Sequence, residues 1–327
     1  MFTLRRISFV CCLAFGLTGS WNPARGQSPE VRVNVSSALS LSSLSRKIES
    51  NLSHMLTRIN VAYLGKAELV DPIPGIMDDK ASNDLRQLWQ SSPMYCLDKS
   101  FRRDLITKLN GEYQVRDIQI KIPASDLPES MAVTFTKEGV INNITFTVKE
   151  HQYLGVLSTP DKVDKVHREL ILDFVENFRT AYNKKDIEFL RQVFSEDALI
   201  IVGKVIQPEA GSGQEGIKGP YLARKHVQYI KYTKTQYLSK LQEVFNKEKT
   251  ISVDFSEFEV LRHLRNPDFY GVTLRQVWRS SYSDEGILFL LIQFRIDDNP
   301  LIWVRTWQDA SETLEEEVFG LHNFVID

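Results

Sequence analysis

Four strand-like runs at residues 251–261, 270–278, 287–295 and 301–307 constrain the fold of this chain more than any other feature. They are separated by short turn-forming stretches: Asn266-Pro267-Asp268, Asp284-Glu285-Gly286 and Asp297-Asp298-Asn299-Pro300. Connections this short cannot carry the crossover that a parallel pair needs, so the runs predict an antiparallel meander. Upstream the period changes to that of helices. An apolar stripe runs through Val163, Val166, Leu170, Ile171, Phe174, Val175, Phe178 and Ala181, after a Thr159-Pro160-Asp161 start. A shorter helix follows Asp186, then a compact apolar strand at 199–202. Residues 207–220, rich in Gly and charge, are expected to form a mobile surface loop, and Tyr237, Leu238, Leu241, Val244 and Phe245 set out a third helix.

The first half repeats this switch of period. Helical spacing begins at Leu41 and continues through Leu44, Ile48, Leu52, Met55, Ile59 and Ala62, with Gly65 as a stop. A short helix at 85–89 is closed by Pro93, and strand patterns follow at 115–122, 131–135 and 141–148. The pattern breaks around 155–160. The expected division is therefore a tether or edge strand at 27–40, an N-terminal α+β domain at 41–155, a second α+β domain at 160–310 and a tail at 311–327. In the tail, Glu315-Glu316-Glu317 reads as a solvated turn ahead of a closing segment.

Residues 1–26 have the three parts of a secretory signal: Arg5 and Arg6, an apolar stretch, and Ala24-Arg25-Gly26 at a cleavage site. Cleavage near Gly26 implies export to the periplasm or beyond the cell. It leaves Cys96 as the one cysteine, so no intramolecular disulfide can form. It also leaves 37 basic against 42 acidic residues, a balance that argues against a nucleic-acid partner. No later segment approaches membrane-spanning length.

The stretch from Leu170 to Phe194, L-I-L-D-F-V-E-N-F-R-T-A-Y-N-K-K-D-I-E-F-L-R-Q-V-F, is followed by Ser195-Glu196-Asp197-Ala198-Leu199-Ile200-Ile201. A long helix ending in Tyr-Asn, a polar turn, a second helix, then an acidic residue before a strand resembles the opening of the nuclear transport factor 2-like superfamily, SnoaL-like and cystatin-like cones included. The resemblance covers roughly 160–310 and looks most like a secreted, Bacteroidetes-type branch. It implies an α+β cone, with helices on a curved antiparallel sheet enclosing a pocket, and homodimers formed through that sheet. A weaker internal similarity pairs Asp84-Leu85-Arg86-Gln87-Leu88-Trp89 with Phe189-Leu190-Arg191-Gln192-Val193-Phe194, as if the first half were a diverged copy.

Chemistry is thinly marked. No His/Cys cluster has metal spacing, and no elbow or Walker motif is present, so neither metal nor cofactor is expected. Gly211-Ser212-Gly213 is too poorly framed to cradle phosphate. If the sheet's polar positions face inward, Asp254 or His263 serves as a general base with Arg275 on the next strand; if not, these residues face water. Trp303, Arg305 and Trp307 fall on one strand face by simple alternation, and with Trp278 they suit core packing first and a stacked ring ligand second. Lys231 and Lys234, with Arg224, Lys225 and nearby tyrosines, read as a solvated face. The expected function is an exported, non-catalytic binding or assembly module whose partner is an envelope protein or small molecule, with a small-molecule isomerase or lyase as the alternative.

Overall fold

The computed structural model describes residues 28–36, 42–69, 74–123, 125, 127–158, 163–206, 226–294, 299–311 and 313–324. The signal, the 207–220 loop and the Thr159-Pro160-Asp161 start lie outside them. Two six-stranded sheets carry the fold. The first contains β1 (Arg32–Ser36), β2 (Tyr95–Cys96), β3 (Ser100–Thr107), β4 (Tyr113–Lys121), β5 (Glu129–Phe135) and β6 (Ile141–Phe146). Its order is β1-β3-β4-β5-β6, with β2 set on β4. Helices α1 (Ser42–Gly65) and α2 (Asp79–Ser91) bury their stripes on it, with Ile48, Leu52, Leu56 and Ile59 fully enclosed. Residues 32–36, inside the expected tether, form an edge strand parallel to β3.

The second sheet runs β8-β7-β12-β11-β10-β9. Its strands are β7 (Phe194–Ile206), β8 (His226–Tyr232), β9 (Ser252–Arg262), β10 (Phe269–Arg279), β11 (Ser283–Gln293) and β12 (Leu301–Asp309). Strands β9 to β12 form the antiparallel meander, and β7 joins β12 in parallel. Helices α4 (Lys165–Asn183), α5 (Ile187–Val193) and α6 (Lys234–Lys247) cover one face, while α3 (Glu150–Ser158) leads from the first sheet into α4. The polar-aromatic run around Lys231 thus continues a strand that sequence patterning passed over. Helix α4 starts later than expected, with Asp164 as its N-cap accepting from the His167 N–H at 3.1 Å. Two residues of its predicted stripe, Val166 and Leu170, are exposed.

The two halves do not share a topology, so the internal similarity is not a repeat. In the second half the strand after the helix pair, β7, pairs in parallel with the last strand. In the first, β2 lies antiparallel to β4, and it is β1, preceding the helices, that makes the parallel pair. The shared hexamers are ordinary amphipathic corners leading from helix to strand.

Helix α4 joins the halves through a buried polar stripe. Arg179, fully buried, donates from Nε to the Val253 carbonyl at 2.7 Å and from Nη1 to the Thr147 carbonyl at 2.6 Å. Its Nη2 pairs with Glu129 and, at 3.2 Å, with Asp254. Glu176 takes Arg116 of β4 in a two-point pair at 2.6 and 2.9 Å and accepts the Val148 N–H at 3.0 Å. Asn183 meets the edge of β9 with its amide, accepting from the Val253 N–H at 2.6 Å. Thr180 accepts from the Phe146 N–H at 2.9 Å. At the end of the helix, Lys184 reaches Asp84 of α2 at 2.5 Å and Asp186 at 3.0 Å.

Replacing Arg179 with Met leaves the Glu129 carboxylate buried and the Thr147 carbonyl unpaired, while the Val253 carbonyl keeps only the Asn183 amide at 3.3 Å. The expected cost is about 3–5 kcal/mol in urea denaturation, and adding E129Q should recover part of it. Burial opposes charge on Asp84, but Lys184 and Lys80 overcome it and hold the carboxyl below its ordinary 3.8. A depressed carboxyl stabilises the fold above its unfolded pKa and loses that contribution as pH falls through the folded one. The melting-temperature gap between wild type and D84N should therefore be full near neutrality and shrink below about pH 4.

Candidate functional site

The strongest site geometry lies at the open end of the second sheet, where α6 stands off the concave face. There β7, β8, β10, β11 and β12 enclose a pocket of about 210 Å³. Tyr237, Lys240 and Leu241 of α6 form one side, and Trp278, Arg305 and Trp307 form the other. Helix α6 is set firmly by a capping box between Thr233 and Gln236. Three of the four residues proposed from sequence as a ligand surface therefore do converge.

Trp303 does not. The β11–β12 register slips between Leu291 and Ile292, and the β12–β7 register slips between Ile302 and Val304. This bulge breaks the two-residue alternation. Ile302 faces the inner core, whereas Trp303 and Val304 both join the cluster on the outer face. Trp303 donates from Nε1 to Gln293 Oε1 at 2.9 Å and packs edge-on against Phe269. Beyond the bulge, Arg305 and Trp307 return to the pocket side.

Gly286 was expected to turn the chain but lies inside β11, pairing with Asp309. The reversal occurs earlier, with the Ser280 N–H donating to the Tyr282 carbonyl at 2.8 Å. Glycine serves close approach here: a Cβ would sit 2.3 Å from Trp307 Cε2 and 2.5 Å from the Gln308 carbonyl oxygen. The indole lies over the bare backbone of the neighbouring strand.

Arg305 is the central group. Its side chain is 5 % exposed, and neither Nε nor Nη1 has a hydrogen-bond partner. Burial works against its charge, and Tyr237 and Tyr182 offset that loss. The guanidinium lies 5.1 Å from the Tyr237 ring centroid. The Tyr182 and Tyr237 hydroxyls bond each other at 2.7 Å. Burial pushes the Tyr182 phenol well above its ordinary range, so it holds its proton at neutral pH. Lys240, 5.6 Å from the Tyr232 ring centroid, adds a second positive charge to the lining, which also includes Asp284.

The proposed catalytic residues are dispersed. Asp254 points away from the pocket, into the ion pair with Arg179, while its neighbours Val253 and Phe255 enter the core. His263 caps the β9–β10 turn, accepting at Nδ1 from the Asn266 N–H at 3.0 Å. Arg275 stands at the surface between Glu257 and Glu285. Among the described residues no group of three or more His, Cys, Asp or Glu side chains could hold a metal, and no helix is long and apolar enough to cross a membrane. Burial pushes the Cys96 thiol up to about 12, leaving it a core residue without nucleophilic character. Sequence reading missed Tyr237 as a pocket group, since it sits within a helical stripe that reads as core.

No family model matches the chain, and no curated protein matches it. Solved structures do. A Bdellovibrio bacteriovorus protein, Bd1075, is 16 % identical over 55 % of this chain, with a TM-score of 0.33, and the chain spans about half its length (48 %). An NTF2-like protein of unknown function in nutrient uptake from Rhodospirillum rubrum is 13 % identical over 42 % of this chain and 97 % of its own, with a TM-score of 0.30. A cystatin-like fold protein of unknown function from Nostoc punctiforme is 8 % identical over 46 % and 95 %, with a TM-score of 0.31.

Substituting Gly286 with Ala forces the Trp307 indole and the β12 backbone to move. The expected loss is about 1–3 kcal/mol with a changed near-ultraviolet circular dichroism signal; a wild-type spectrum and melting point would show that the indole does not lie on the strand.

Proposed function

We propose that this chain is an exported binding protein that holds a small ring-bearing carboxylate at the mouth of the second sheet, by charge and stacking and without chemistry on the ligand. One observation carries this reading: a nine-tenths buried guanidinium, Arg305, with two unpartnered nitrogens beside two indoles. Leaving a charge buried without a counter-charge costs several kcal/mol, and a ligand carboxylate relieves that cost on binding. A pocket of about 210 Å³ is small for a drug-sized ligand and suits a single ring. The aromatic walls supply stacking area, and the Tyr237 hydroxyl beside Arg305 supplies a polar contact.

The catalytic alternative finds less support. An isomerase or lyase needs a base near neutral pH facing the substrate. Asp254 and His263 have structural partners elsewhere, and Tyr182 is held protonated. Export rests on the pattern of residues 1–26. The chain's own tail occupies the outer face of the sheet, where a second copy would pack: Phe319, Leu321 and Phe324 lie on Phe289, Leu291 and Val304.

The test is a tryptophan-fluorescence titration of the chain from Gln27 onward with benzoate and with its neutral counterpart benzamide. Benzoate should bind the tighter of the two, and R305Q should weaken benzoate by about tenfold or more while leaving benzamide little changed. R305Q should fold at least as stably as wild type, since it removes an unpaired buried charge. Equal affinity for the two probes, or an R305Q variant with wild-type benzoate binding, overturns the proposal.

A further inference from the structure

A second arginine has the same unpaired character, at the β9 edge of the second sheet and away from Arg305. Helix α3, the first turns of α4 and the free edge of β9 enclose a pocket of about 370 Å³. Arg168 of α4 lines it, 7 % exposed, with Nε and Nη1 unpartnered. Gln152 of α3 lines it too, and its buried Oε1 lacks a donor. Two residues of the lining thus carry buried groups without partners, one a cation lacking an acceptor and one an acceptor lacking a donor.

The rest of the lining sorts by chemistry. Val156, Val163, Phe258 and Val260 make an apolar wall. Glu257 and Glu259, both exposed, place carboxylates at the rim. Glu257 stands at φ +54° where the β9–β10 register slips, a bulge on an edge strand beside the pocket. It also contacts Arg275 at 3.3 Å, so its position is held from behind. On α3, Gly155 borders the space, and a Cβ built there meets nothing within 4 Å.

A buried cation, an apolar wall and an acceptor-rich rim are the complement of a zwitterion with a hydrophobic side chain. We propose that this pocket binds a free α-amino acid with an apolar side chain. Its carboxylate pairs with Arg168, its ammonium lies between Gln152 Oε1 and the rim carboxylates, and its side chain packs on Phe258 and Val260. The site is separate from the Arg305 pocket and shares no residue with it.

Isothermal titration of the chain from Gln27 onward with L-leucine, L-leucinamide and N-acetyl-L-leucine tests each part. L-leucine should bind, and each analogue, lacking one charge, should bind about tenfold or more weakly. R168Q should lose L-leucine binding to the same extent. G155L should block the pocket while keeping α3, because leucine is the better helix former. Both variants should keep wild-type benzoate binding. Leucinamide equal to leucine, or R168Q with unchanged affinity, overturns the carboxylate contact. N-acetyl-leucine equal to leucine overturns the free amino acid in favour of a peptide carboxyl-terminus, and absence of leucine binding overturns the proposal outright. If R168Q fails to fold, the analogue series and G155L still decide.

Discussion

The polar stripe of α4 is the constraint on which the rest of this structure depends. A helix on a sheet ordinarily buries one face and wets the other. Here the face opposite the second core is buried as well, because the first sheet abuts it. Glu176, Arg179, Thr180 and Asn183 recur at helical spacing, so their side chains stack along one line. Each meets backbone or charge from the other elements: Arg116 and the Val148 N–H, the Thr147 and Val253 carbonyls, the Phe146 N–H, and the Val253 N–H. The contacts at Val253 end the sheet without leaving its edge strand open there. Apolar contact alone would let the halves slide; these hydrogen bonds specify one register between them.

Much of this was legible. The meander was readable because its strands alternate and its turns are short. The long helices were readable because their stripes are long. What escaped follows from physical causes that a single-residue period cannot carry. A bulge near Trp303 reverses which face a side chain occupies, and only the neighbouring strands' pairing reveals it. Gly286 looks like a turn because glycine usually punctuates; its reason for being glycine is an indole on the adjacent strand. Strand β3, with Arg102, Arg103 and Asp104 interrupting its apolar residues, gave no strand pattern, and β8, an edge strand with Lys231 among tyrosines, read as solvated surface. The stripe of α4 mixed buried and exposed residues because Val166 and Leu170 stand at its free end.

The candidate site was legible in composition and wrong in one member. Trp278, Arg305 and Trp307 converge because β10 and β12 flank β11, and two strands apart is within reach of long side chains across a concave face. The polar candidates were misread for the opposite reason. Asp254 and Arg275 do alternate with core residues, but alternation places them on the face turned away from α6. One meets Arg179 of α4 and the other meets the surface carboxylates Glu257 and Glu285.

Four arginines are buried among the described residues, and their partners divide them into two kinds. Arg116 and Arg179 are met by Glu176 and Glu129, and burial alone would lower their pKa values had those carboxylates not raised them. The fold can therefore set a carboxylate against a buried guanidinium where the architecture calls for it, and helix α4 does so from one face. Arg168 stands on that same helix, three turns before Arg179, and receives none; Arg305 receives only phenols. An interior arginine kept for packing alone is replaceable by Met or Leu at a gain in stability, since the charge is then only a cost. The two unpaired arginines border cavities, whereas the two paired ones join the sheets. That division is what distinguishes a charge that holds the molecule together from one reserved for something the molecule holds.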